Sequence, residues 1–242
     1  MEILKNVLAI DLFLYLKDFR TLIISDTHIG FEESLHKQGY IIPKSGLKDI
    51  ILRIEKAVHT LKKKDLRIDT IILNGDLVHS FSKHSMDEKY ALKQLIEFLG
   101  TLGQIIIIKG NHDKIISFMV KKDMMILPNV RLGDILIAHG DVIDKDSDEP
   151  GVRTIIIGHE HPSVVLQSGL RREQYKCLLK GKYKKKDLIV MPSSNTLIEG
   201  SDVLKEKLLT PYITDINGFE IFAIADQIYD FGKISRLRKK LD

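Results

Sequence analysis

Six short apolar runs recur along the chain, and each stops abruptly at a polar group: "TLIIS", "TIILNG", "QIIIIKG", "DILIAHG", "RTIIIGH" and "DLIVMPS". Continuous runs of β-branched residues this short predict strands buried on both faces, as in the interior of an α/β protein. Between the first three the period changes. In "SGLKDIILRIEKAVHTLKKK", Leu47, Ile50, Ile51, Ile54, Val58 and Leu61 fall on one helical stripe. "MDEKYALKQLIEFLGTLG" repeats the pattern with Leu92, Leu95, Ile96 and Leu99, then stops at glycines. Beyond Asn129 the helical patterns thin out and strands crowd together, which predicts hairpins on a second sheet. The mixture implies a layered α/β (α+β) sandwich and argues against one doubly wound sheet. The oily opening "MEILKNVLAIDLFLYLKDFR" is interrupted by Asp11 and lacks a small-residue cleavage site, so it predicts the first strands of the fold and not a signal peptide. No repeat or linker divides the 242 residues, and one domain spanning 1–242 is expected.

Composition removes several classes of function. At 44% hydrophobic and 29% charged the chain reads as a soluble globular protein, and no stretch reaches the ~18 apolar residues of a membrane span. The single cysteine, Cys177, excludes an internal disulfide framework and points to a reducing, cytoplasmic setting. With no second thiol and no nearby histidine, it reads as a core filler. A net charge of +4 permits a polyanionic partner without requiring one. Two lysine-rich spots, "KGKYKKKD" and the tail "SRLRKKLD", read either as solvated surface or as contacts to a phosphate backbone. Tyr183 is the only aromatic in the first, too little for a base-stacking platform. The acidic stretch "DVIDKDSDEPG" fails as a calcium loop, because Glu149 stands where glycine is needed and Ile155 where glutamate is needed. It reads as a solvated loop.

The chemistry sits where the strands stop. After the first run come Asp26 and His28, and after the second Asp76 and His79. After the third come Asn111, His112 and Asp113, after the fourth His139 and Asp141, and after the fifth His159 and His161. Six of the nine histidines lie in these loops, while His36, His59 and His84 lack such surroundings and read as incidental. Loops at one end of an α/β sheet converge on the ligand site. Five strand ends delivering Asp, His and Asn to one place would be costly as a core and sensible as a metal site. Each fragment alone is weak, since "GNHD" serves equally as a turn. The joint pattern is specific.

Between Ser25 and Pro162, the blocks "DTH", "GD", "GNHD", "HG" and "GHEH" resemble the five signature blocks of the calcineurin-like metallophosphoesterases. Within that superfamily "GDLVH" is similar to the corresponding block of the SbcD-type double-strand-break nucleases. "SDTHIGFEESL", "GYIIP" and "MPSSNTLIEGSDV" resemble small archaeal SbcD-related phosphoesterases, a pattern shared with bacterial DNA-ligase-associated phosphoesterases. The resemblance implies a four-layer α-β-β-α sandwich of two mixed sheets flanked by helices, with the metal site at the C-terminal ends of the strands. It implies one divalent ion on Asp26, His28, Asp76 and His161 and a second on Asp76, Asn111, His139 and His159, bridged by Asp76. His112 would face the leaving oxygen, oriented by Asp113, and His79 would contact the phosphate.

The donor set agrees with these roles independently. Imidazole, amide and carboxylate together suit Mn²⁺ best, with Fe, Zn, Co or Ni possible, over Ca or Mg. Two divalent ions less two carboxylates and a bridging hydroxide leave a small positive charge, attractive to a phosphodiester. The expected function is a dinuclear-metal-dependent phosphodiesterase in which a metal-activated hydroxide attacks in line, acting on nucleic acid, with a helicase or ligase as a conceivable partner. About 80 residues follow His161, and the second sheet needs them, so no separate capping domain is expected. Basic runs near the pocket favour nucleic acid. Two alternatives stay open: hydrolysis of a small phosphate ester or cyclic nucleotide, and a non-catalytic scaffold of the same fold.

Overall fold

The computed structural model describes residues 1–80, 85–114, 116–168 and 171–241. His84 lies outside the described residues. The first sheet runs in chain order as β1 (Glu2–Leu4), β2 (Val7–Ile10), β3 (Phe13–Leu16), β4 (Thr21–Ser25), β5 (Thr70–Asn74), β6 (Gln104–Ile108) and β7 (Met125–Leu127). The oily N-terminus supplies β1 to β3 as an antiparallel meander, and β4 to β7 are parallel. The crossovers carry α1 (Phe31–Lys37), α2 (Gly46–Lys62) and α3 (Met86–Gly100). Helix α2 buries Ile50, Ile54, Val58 and Leu61, and α3 buries Leu92, Leu95 and Leu99, on the stripes that their periodicity predicts. A capping box starts α3: the Ser85 hydroxyl accepts the Glu88 N–H while the Glu88 carboxylate accepts the Ser85 N–H.

The second sheet contains β8 (Asn129–Leu132), β9 (Ile135–Ala138), β10 (Thr154–Ile157), β11 (Pro162–Ser168), β12 (Arg171–Tyr183), β13 (Lys186–Val190), β14 (Ser201–Asp202), β15 (Glu220–Ile224) and β16 (Ile228–Lys233). Strands β9, β10 and β13 run parallel, and antiparallel neighbours surround them. Strand β12 pairs β11 through its first half, and β13 and β15 through its second. The expected pair in "FEIFAIADQIYDF" is the β15–β16 hairpin, which extends this sheet.

Alternation of side chains along the second sheet fixes the layering. Ile156, Leu178, Ile189 and Phe222 point into the core shared with the first sheet. Their neighbours Ile155, Ile157, Leu179, Leu188 and Ile221 point the other way, under Val203, Tyr212, Phe219 and Ile234. The outer cover on that side is the irregular stretch 203–219 with helix α4 (Ile234–Leu241), so the fourth layer holds less helix than expected. The isoleucine run of β6 is fully buried only at Ile107 and Ile108, because its outer neighbour β7 is a three-residue edge strand. Cys177 is buried, and burial pushes its thiol above the ordinary range, as suits a core residue. Among the described residues, no helix is long and apolar enough to cross a membrane.

Candidate metal centre

Strands β4, β5, β6, β9 and β10 deliver their C-terminal ends to one edge of the sandwich. There the main chain turns sharply, and five of the turning residues are Asp26 (φ 52°), His28 (φ 39°), Asp76 (φ 47°), His159 (φ 63°) and His161 (φ 49°). Left-handed backbone is uncommon at non-glycine residues, costs of order 1–3 kcal/mol each and persists only where the surroundings hold it. Every one of the five is among the residues expected from the sequence to bind metal.

Those residues converge. His161 Nε2 lies 3.4 Å from Asp26 Oδ1 and 3.2 Å from His28 Nε2. Asp76 Oδ2 lies 3.3 Å from His139 Nε2 and 3.8 Å from His28 Nε2, facing both groups. Asn111 Oδ1 is 3.0 Å from His139 Nε2, and the His139 and His159 rings meet edge to face at 5.0 Å. Two clusters result, Asp26 with His28 and His161, and Asp76 with His139 and His159, each with donor atoms within 4.8 Å of one another. A third group joins His28 to His79 and His112.

In this pocket the carboxylates and imidazoles act strongly on one another. Burial works to raise the Asp26 and Asp76 carboxyls, but the imidazoles of His161 and His139 outweigh it and hold both below the ordinary range. Burial and the adjacent His161 push His28 down to about 3. His79 and His159 are lowered by burial and by neighbouring rings. His139 alone goes up, to about 9, because its bond to Asp76 and the field of Asp26 overcome its burial. The Nδ1 atoms of His28 and His139 are buried with no hydrogen-bond partner among the described residues. Imidazole nitrogens that face one another and two buried carboxylates suit cations placed between them, and neutral imidazole with ionised carboxylate is the ligating form. The donor set therefore fits divalent metal.

The pattern of the calcineurin-like phosphoesterases matches residues 19–221. The chain belongs to this family. Its members are metal-dependent hydrolases of phosphate esters, and the fold and clusters above are those of a phosphoesterase. A nuclease from Pseudomonas putida shares the fold with a TM-score of 0.62 at 16% identity, over 93% of this chain and 94% of that one. A Vps29 double mutant from Entamoeba histolytica (TM-score 0.36, 16% identity, 88% and 99%) and a predicted phosphoesterase from Streptococcus pneumoniae (TM-score 0.33, 13% identity, 88% and 97%) are similar over less of their geometry. No curated protein matches by sequence.

Around the phosphoesterase centre, the strained candidate ligands are held by main-chain bonds. The "DTH" and "GDLVH" loops zip together through His28 N–H to the Asp76 carbonyl, Ile29 N–H to Leu77 and His79 N–H to Ile29. Gly110 and Gly158 stand where any Cβ would collide with the Asp76 and Asp26 carboxylates respectively. The Asp26 carboxylate also accepts the His159 N–H, at 3.1 and 3.2 Å to its two oxygens.

One expectation is corrected here. Asp113 does not orient His112 from its ring nitrogen: its two oxygens accept the N–H groups of Leu77 (2.9 Å) and Gly110 (3.1 Å), holding the loops that carry Asp76 and Asn111. The His112 ring is set by the His79 carbonyl, 2.7 Å from Nδ1, and its own N–H donates to Asp76 Oδ1 at 2.9 Å. His112 Nε2 lies 3.9 Å from Asp76 Oδ2.

Residues beyond the expected set also matter. The loop after β13 carries three of them. Ser193 donates its hydroxyl to the Asp26 carbonyl (2.6 Å), Ser194 to that of Ser25 (2.7 Å), and Asn195 Nδ2 to those of Thr27 and His28 (3.1 Å each). All three are buried. Glu160, between two ligands, accepts the N–H groups of Leu209 (2.6 Å) and Thr210 (2.8 Å). The polar trio in "MPSSNT" was a visible signal, while nothing local announced Glu160.

The lysine run is also corrected. It is not near the pocket: the β12–β13 tip pairs with the N-terminal end of β10, and the candidate ligands His159 and His161 follow the C-terminal end. Lys184 pairs with Asp148 and Lys182 with Asp187, both at 2.7 Å. Nor is the acidic stretch simply solvated, since Asn129 bonds Asp144 and Asp146, and Tyr212 OH accepts the Asp144 N–H.

Proposed function

We propose that this phosphoesterase is a dinuclear phosphodiesterase acting on nucleic acid, in the manner of the SbcD-related enzymes. The observation that carries it is Asp76, whose Oδ2 faces ligands of both clusters at once, 3.8 Å from His28 and 3.3 Å from His139. Asp26, His28, Asp76 and His161 would hold one ion, and Asp76, Asn111, His139 and His159 the other, with Mn²⁺ the best match to mixed N/O donors. Bound divalent ions supply Lewis-acid charge to the phosphoryl group and acidify an attacking water. The chain's own residues do the rest. His112, fixed at Nδ1 by the His79 carbonyl, presents Nε2–H in its protonated form to the departing oxygen. His79 stands beside it, its ring 5.9 Å from that of His112, within reach of a phosphate oxygen held there. The fold is one that a nuclease uses, which suits the nucleic-acid reading.

The test removes metal from the purified protein, restores Mn²⁺ and compares an aryl phosphodiester, its monoester and an end-labelled single strand. Turnover of the diester and the strand is expected. Diester turnover with an intact strand would shift the substrate to a cyclic or small nucleotide. Two bound metals with no turnover would make the chain a scaffold.

A further inference from the structure

Beside the Asn111–His139 side of the centre, where the seam between the two sheets opens, lies a cavity of about 400 Å³. The end of β7 and the residue after it form one wall with Ile126, Leu127 and Pro128, and the end of β9 with the stretch after it forms the other with Ala138 and Val142. Two opposite charges flank these walls. Lys109 precedes the Gly110–Asn111 turn, and Asp141 follows two residues after the ligand His139. Asp144 also lines the cavity, but its carboxylate is engaged by Asn129 and by the Asp146 N–H. Asp141 makes no hydrogen bond or ion pair among the described residues, although it is half-buried.

A half-buried carboxylate without a partner, set between apolar walls, is costly unless a ligand supplies a donor. The volume is at the small end of ligand pockets, which run from about 300 to 1,000 Å³. It suits one flat heterocycle and not a base pair. Enzymes that work on unstacked nucleotides read a base in this way, between apolar side chains and against a polar group at its edge. We infer that the cavity is the subsite for the base next to the scissile phosphate, and that Asp141 accepts a hydrogen bond from its exocyclic amino group. This rests on the phosphodiesterase reading and narrows it. Adenine, cytosine and guanine carry such a donor, whereas thymine and uracil do not. Lys109 contributes only charge, attracting phosphate whatever the base.

The experiment uses the Mn²⁺-loaded full chain, wild type and Asp141→Asn. Rates are measured on the p-nitrophenyl phosphodiesters of adenosine and thymidine and on methyl p-nitrophenyl phosphate, and Kd is measured for AMP and TMP. The wild type should prefer the adenine compounds about tenfold in both rate and binding, as expected for one hydrogen bond to a charged acceptor. Asp141→Asn should reduce that preference several-fold while leaving the methyl diester, which has no base, unchanged. Equal Kd for AMP and TMP in the wild type, or an unaltered preference in the variant, would overturn the subsite. Failure of the wild type to cleave any diester would instead sink the phosphodiesterase reading, and the Kd pair would still judge the subsite.

Discussion

At the N-terminal end of β10, Lys184 meets Asp148, Arg131 meets Glu149, and Lys186 Nζ donates to the Glu149 carbonyl, all on exposed surface. At its C-terminal end, Asp26, Asp76, His28 and His139 are buried to within a few per cent, and each carboxylate faces more than one imidazole. The two ends are rich in the same kinds of charged and polar residue. The first end has satisfied itself with opposite charges in water, where such pairs contribute little. The second packs two carboxylates among imidazoles out of water, with the Nδ1 atoms of His28 and His139 left without a hydrogen bond among the described residues, on a backbone bent into left-handed turns. Charge density therefore does not mark a site. Charge that is buried, converging and unsatisfied does.

The strongest way to break this contrast is to remove the residue that both clusters face. Asp76→Ala should lose both metals, by elemental analysis, and take diester turnover to background. The rise in Tm that Mn²⁺ gives the wild type should vanish with it. Retention of two ions would refute the shared ligand. Next comes His112→Ala, with the rate falling by roughly 10² or more while metal content stays at the wild-type level. Were metal lost in step with rate, His112 would be a ligand and not a proton donor.

The clamp behind the centre is a finer test. Asn195 gives both amide hydrogens to the carbonyls of Thr27, between the proposed ligands Asp26 and His28, and of His28 itself. Asn195→Ala should weaken Mn²⁺ binding about 10- to 100-fold, the usual cost of losing support behind a metal ligand. Asn195→Asp keeps the shape but sets acceptors against two carbonyls, so it should bind Mn²⁺ more weakly than the alanine variant. Equal affinity of all three proteins, by calorimetric titration, would reduce the clamp to a packing contact.

These variants also mark how far the sequence could be read. Strands ending in "DTH", "NGD", "KGNHD", "AHG" and "IGHEH" announced both the sheets and the polar groups that converge at their ends, because an apolar run and the residues that stop it are local features. The partners of Asp113, Glu160 and Asn195 are main-chain N–H and C=O groups on other loops, and a carboxylate that will meet a backbone amide looks no different from one that will meet an imidazole. The same blindness misplaced the lysines. "KGKYKKKD" shows its charge openly, but the acids that meet it, and the end of the sheet it occupies, depend on how β12, β13 and β10 align.

The smallest effect belongs to that hairpin. Changing Lys184, Lys185 and Lys186 together to Ala removes three cations, yet the four residues of β10 place them about 13 Å of strand away from the ligands, at ~3.3 Å per residue. Lys184 already has Asp148 within 2.7 Å, so a phosphate would have to compete with a carboxylate for it. Removing a lysine that does touch phosphate lowers the salt slope of nucleic-acid binding by about one. The triple variant should instead keep both the slope and the diester rate of the wild type. A slope lower by one or more would show that nucleic acid wraps along the second sheet to its far end, and would join the two ends of β10 into one surface.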